Sequence, residues 1–145
     1  MNAPRKKLSR KAKIIILIAI CVFAAALVSG AYYLNVLNTY KKDIAAINVQ
    51  NVDLTAIRDG EYFGDCDVNL VRARVRVVVE NQAITEIELL EHHNGRGGAA
   101  LSLPDRIVEE QRINVDAVSG ATASSRVIQE AVYHALTGKH STPLK

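Results

Sequence analysis

The chain has 145 residues and a mass of 15.8 kDa, room for one small domain and one accessory segment. Hydrophobic residues make up 49% and charged residues 23%, which excludes a disordered or fibrous chain. Arg5, Lys6, Lys7, Arg10, Lys11 and Lys13 precede every acidic residue, so the formal charge of +3 belongs to a tail, the remainder is net negative, and a nucleic-acid partner is excluded.

From Ile14 to Leu37, 24 positions carry no charge. As a helix this stretch spans about 36 Å, enough for a hydrocarbon core of about 30 Å. Tyr32 and Tyr33 lie near its far end, where amphipathic rings favour the interface. The preceding basic residues predict a single pass through the cell membrane, with the N-terminus cytoplasmic and the C-terminal part extracytoplasmic. Val28-Ser29-Gly30 could pass for a signal-peptide cleavage site, but apolar residues continue past Gly30 and favour an uncleaved anchor. The expected organisation is a basic tail (1–13), a transmembrane helix (14–37), a juxtamembrane stalk (38–54), a folded domain (55–138) and a short tail (139–145). Cys21 falls in the apolar run and Cys66 stands alone outside it, so no internal disulfide is expected, and Cys66 reads more readily as a small buried residue than as a reactive thiol.

In the outer part, Asp59-Gly60 is a turn signal, and Glu61-Tyr62-Phe63 suits a short strand closed by Gly64. The clearest strand runs from Leu70 to Glu80, where Arg72, Arg74 and Arg76 alternate with apolar residues. Glu86 and Glu88 alternate likewise with Ile87 and Leu89. A hairpin that opposes Arg76 to Glu86 and Arg74 to Glu88 needs an odd loop, so a three-residue turn with a positive φ is predicted around Asn81. Neither arginines nor glutamates need more than a solvated face.

Beyond Leu90 the chain reads Glu91-His92-His93-Asn94-Gly95-Arg96-Gly97-Gly98. Gly95, Gly97 and Gly98 allow a flat ligand or another backbone to come close. His92 and His93 invite a metal reading, but neighbours on a strand point to opposite faces and no further ligand cluster accompanies them, so no metal is expected. Pro104 suits the first turn of a helix with Ile107, Val108 and Gln111 on one face and Asp105, Glu109, Glu110 and Arg112 mostly outward.

Asp116-Ala117-Val118-Ser119-Gly120-Ala121-Thr122-Ala123-Ser124-Ser125 is the chemically informative run. Val115–Val118 can finish a strand, and the small residues after it can make a tight connection. A helix with Val127, Ile128, Ala131, Ala135 and Leu136 on its apolar face follows and ends at Gly138. Hydroxyls at a helix N-terminus suit a phosphate, because the first N–H groups lack partners and the macrodipole is positive there. The competing reading is plain N-capping by Ser124 or Ser125.

The run D-A-V-S-G-A-T resembles the D-x-x-S/T-G-A-T signature of the FMN-binding domain family, found in the G subunit of the Rnf electron-transfer complex, in the C subunit of the sodium-pumping NADH:quinone reductase and in small membrane-anchored flavoproteins. Asp59–Gly64 is similar to the family's opening D-G-x-Y-x-G, and Asn81, Glu91-His92 and Gln111 fall where its hairpin turn, Glu-His pair and glutamine lie. The resemblance runs from Thr55 to Gly138. It implies an α+β domain, a small twisted antiparallel sheet packed against helices, behind one transmembrane helix. It also implies FMN held through a phosphoester on Thr122, placed there by a flavin transferase from FAD with magnesium. Asp116 matches the signature aspartate, Ser119, Gly120 and Ala121 shape the turn, and Ser124 and Ser125 add hydrogen bonds. The ring is expected against the Gly95–Gly98 loop with His92 or His93 at its edge. His92-His93-Asn94-Gly95 replaces the Glu-Thr-Pro-Gly type of loop in the respiratory-complex subunits, which favours a stand-alone carrier between a membrane electron donor and an extracytoplasmic acceptor. A reductase with noncovalent FMN acting on a small acceptor, and a non-redox sensor or interaction module, are the alternatives.

Overall fold

The computed structural model describes residues 9–68, 70–93 and 98–139. The basic residues before Ser9, together with Gly95 and Gly97, lie outside the described residues. The chain divides between Thr39 and Tyr40 into two units. In the first, helix α1 (Arg10–Ala46, which continues into the second unit) presents Ile15, Leu17, Val22, Phe23 and Val28 fully to the outside. It is long and apolar enough to cross a membrane. The helix runs past the apolar stretch through Lys41, Lys42 and Asp43, and its last turns belong to the outer unit, where Ile44 is buried.

The outer unit is an α+β fold. Strands β1 (Gly60–Val68), β2 (Val71–Glu80) and β3 (Ala83–His93) form an antiparallel meander in the order β1-β2-β3. Helices α2 (Leu103–Glu110) and α3 (Thr122–Thr137) cover one face, α2 over β3 and α3 over β1 and β2. The alternation in β2 dictates this layering. Val71, Ala73, Val75, Val77 and Val79 are buried beneath the helices, and Arg72, Arg74 and Arg76 point the other way. On that outer face Arg76 bonds Glu88 at 2.9 Å and Glu86 at 3.0 Å and reaches Glu61 at 3.3 Å, while Arg72 pairs with Asp67. The arginines are therefore matched across the sheet and carry no anion site of their own.

Three sequence expectations are corrected. Strand β1 does not stop at Gly64 but continues through Asp65, Cys66 and Asp67 to Val68, paired along its length with β2. Gly64 lies inside the strand because α3 needs it there: a Cβ on Gly64 would stand 2.1 Å from the Ala131 carbonyl oxygen and 2.4 Å from the Ala135 nitrogen. The β2–β3 turn has two residues, not three. Asn81 and Gln82 have φ of 52° and 64°, and Glu80 faces Ala83. Such a primed two-residue turn follows the strand twist. The parity that would place the glutamates on the wrong face is restored by a bulge at Thr85, after which Arg76 faces Glu88 rather than Glu86. A second bulge, at Leu90, brings Glu91 opposite Arg74. Finally, Val115–Val118 joins no strand. It runs beside helices rather than along a sheet edge, and side chains bind its backbone instead.

Helix α2 ends at Gln111, whose left-handed φ of 51° turns the chain. The Gln111 side chain works like one more strand residue on β3: its Oε1 accepts from the Ile84 N–H at 2.9 Å and its Nε2 donates to the Ile84 carbonyl at 2.7 Å. Replacing Gln111 by leucine removes both bonds and leaves two strand groups unmet, an expected loss of about 2 kcal/mol in chemical unfolding. Gln111→Glu, which accepts but cannot donate, is expected to fall between the two. A leucine variant as stable as the parent would show these bonds to be idle.

Candidate functional site

The site is built around the turn that starts α3. Val118 to Ala121 form a type II turn, closed by the Ala121 N–H donating to the Val118 carbonyl at 2.9 Å. Gly120 holds the position that demands positive φ, at +77°, and a Cβ there would meet nothing, so backbone angle rather than space calls for glycine. The N-cap is Ala121, which has no side chain with which to cap, and Thr122 is the first helical residue. Thr122 is exposed, and its hydroxyl makes no hydrogen bond among the described residues.

The two serines behave differently from that threonine. Ser125 is fully buried; its hydroxyl donates to the Ala121 carbonyl and accepts from the Val118 N–H, both at 3.0 Å. It ties the turn to the helix from within, so its hydrogen-bonding capacity is used inside the protein. Ser124 is buried as well, and Ala121 is turned into the core at 4% exposure. Of the small residues in the run, Ala117, Ser119, Gly120 and Thr122 are the ones presented outward.

Side chains from elsewhere hold the approach to this turn. Arg106 of α2 donates to the Asp116 carbonyl at 2.9 Å, leaving the exposed Asp116 side chain outward. Gln129 of α3, 3% exposed, donates to the Val115 carbonyl at 2.7 Å. Asn51 accepts from the Asn114 N–H at 2.9 Å. Arg106, Gln129 and Asn51 are the contributors that sequence reading misses, since a side chain bonding a distant backbone leaves no periodic trace. The Asx pattern at the short turn Leu54–Ala56, where Asp53 accepts from Thr55, is the kind that does.

The end of β3 separates the two histidines. His92 lies opposite Ala73 on the helix-covered face, and His93 lies opposite Arg72 on the outer face, 3.2 Å from Glu91. They therefore do not converge on one ligand atom. Gly98 opens the short turn Gly98–Ser102, and a Cβ on it would meet no atom of the described residues. Burial, helped by the neighbouring His93, pushes the His92 pKa below the ordinary histidine value. A histidine that resists protonation when folded favours unfolding in acid: its stabilising contribution is present above about pH 6.5 and is lost as pH falls through the lower folded value. Denaturation midpoints are expected to fall between about pH 7 and pH 5, with a shallower fall in His92→Gln. Equal slopes would remove His92 from the acid response.

Cys66 faces inward on β1, and burial, together with the charge of Glu130, pushes its thiol up to about 12. It stays protonated at neutral pH and is neither nucleophile nor redox group. Near it, His134 donates from Nδ1 to the Asp65 carbonyl at 2.8 Å and faces Glu130 with Nε2 at 3.3 Å, fastening α3 to β1.

The turn thus presents the hydroxyls of Ser119 and Thr122, and that of Thr122 stands at the start of a sixteen-residue helix, where the leading N–H groups are unpaired and the dipole is positive. A phosphate ester on Thr122 fits this surrounding. The family model for the FMN-binding domain matches residues 72–137, from β2 to the last residue of α3. Strand β1 lies before the match, yet pairs with β2 from Gly60 to Val68. No curated protein matches the chain.

Proposed function

We propose, on the premise that this chain carries an FMN-binding domain at residues 72–137, that it is a membrane-anchored flavoprotein bearing FMN covalently on Thr122 and serving as an extracytoplasmic electron carrier. The observation that carries this reading is the signature threonine itself, exposed at the first position of α3 with an unspent hydroxyl, while Ser125 beside it is consumed by the fold. Attachment requires FAD and a flavin transferase. The Thr122 Oγ1 attacks the FMN-side phosphorus of the FAD diphosphate, the P–O–P bond breaks, AMP leaves, and the hydroxyl proton passes to solvent or to the transferase. FMN, once held, supplies reversible one- and two-electron transfer.

The chain's own residues do the rest. Gly120 gives the turn its shape, Arg106 and Gln129 fix the backbone that leads into it, and the α3 terminus stabilises the anionic diester. Helix α1 supports membrane anchoring by length and composition, and the basic tail before it favours an extracytoplasmic domain. No proton-transfer apparatus for a substrate is needed by a carrier.

The test is the intact mass of the full-length chain made beside an active flavin transferase. The expected gain is that of FMN less one water, with yellow colour that survives denaturation and bleaches with dithionite. Flavin released on denaturation would favour a noncovalent reductase, and colourless protein of unmodified mass would overturn the flavoprotein reading.

A further inference from the structure

The segment leaving α1, the approach to the turn and helix α3 enclose a cleft of about 290 Å³ beside the signature, lined by residues 47–49 and 114–117 and by Arg126 and Gln129. Asn48, Asn114, Asp116, Arg126 and Gln129 make the lining polar. Arg126 is its one cation and Asp116 its one anion, so without Arg126 the cleft would repel a phosphate.

Arg126 follows Thr122 by four residues, which puts the two on one face of α3 a single turn apart. A long side chain on a helix covers the turn before its own Cα, and for Arg126 that is the turn that begins at Thr122. One of its Nη1 hydrogens is given to the Ile44 carbonyl at 3.0 Å. A guanidinium has five N–H donors, and this bond fixes the group at the cleft while leaving others for a ligand. The Ile44 carbonyl is among the last of α1, a place where a cation is also favoured by the helix dipole.

We infer that Arg126 is the specificity-determining cation of the flavin site: the cleft takes the polar ribityl phosphate arm, and Arg126 selects a phosphorylated flavin over riboflavin. This rests on the flavoprotein reading above. It adds that the phosphate is recognised before it is attached, by a residue outside the D-A-V-S-G-A-T run.

The probe is a pair of titrations, with FMN and with riboflavin, on the full-length chain in detergent made in a host without flavin transferase. The parent is expected to prefer FMN by about tenfold or more, as one charge-assisted contact provides. In Arg126→Gln that preference is expected to shrink to about twofold or less, with riboflavin affinity unchanged, and Arg126→Lys is expected to keep part of it. Unchanged riboflavin binding serves as the control for folding. An unaltered FMN-to-riboflavin ratio, or an equal loss for both flavins, would overturn the assignment of Arg126 and leave the flavoprotein reading standing. Failure of the parent to bind either flavin would overturn recognition ahead of attachment, while the flavoprotein reading stands or falls on the intact mass.

Discussion

Gly64→Val is expected to prevent the outer domain from folding, and Gly64→Ala to cost at least about 3 kcal/mol. The cause is backbone against backbone. Helix α3 crosses β1 so closely at Gly64 that an added methyl carbon would lie 2.1 Å from one main-chain atom of α3 and 2.4 Å from another. Flexible side chains can move aside from such a contact, but two hydrogen-bonded elements cannot without separating. The contact is also where the core is assembled, with Ala131, Val132 and Ala135 buried on α3 and Cys66 and Val68 on β1. A domain of this size has little reserve, since folded proteins are stable by only about 5–15 kcal/mol. Thermal unfolding of the alanine variant, followed by near-ultraviolet circular dichroism, is expected to fall by about 15 °C. A loss below about 1 kcal/mol would mean that α3 can lift from β1 at little cost.

Thr122→Val is expected to abolish covalent flavin altogether while changing stability by no more than about 0.5 kcal/mol. Valine keeps the shape and branching of threonine and removes its hydroxyl. The fold has no use for that hydroxyl: the residue is exposed, and the helix is not capped by a side chain. Mass spectrometry and the denaturation midpoint together separate the two effects, and a valine variant that still gains the mass of FMN less water would move the attachment elsewhere. Ser125→Ala is the instructive contrast. It removes the buried hydroxyl that links Val118 to Ala121, so stability should fall by about 1–2 kcal/mol.

What the amino-acid order makes legible divides along physical lines. The alternation of β2, the apolar face of α3 and the uncharged run of α1 are periodic patterns imposed by burial, and each appears where the pattern puts it. The signature is legible as a resemblance, and its turn has the glycine at positive φ that a type II turn requires. The extent of β1 is hidden because Gly64, normally a strand breaker, is there for a neighbour that sequence does not place beside it. The stretch before the signature looks like a strand because apolar residues recur in it, yet its carbonyls are met by Arg106 and Gln129. Buried Val115 shows that burial and ladder formation are separate matters.

The bulge at Thr85 makes turn and strand answerable to each other. A strand has two sides, and a single extra residue exchanges them. Deleting Thr85 alone would close the bulge into a regular ladder and leave Glu86, Ile87 and Glu88 opposite Val78, Val77 and Arg76, each on its present face. With that slack used up, the loss of one more residue between Ala83 and Ile87 would carry Ile87 and Leu89 into water and drive Glu88 under the helices. The hairpin therefore holds one residue in reserve, so a single deletion at Thr85 is tolerated where a second beside it is not.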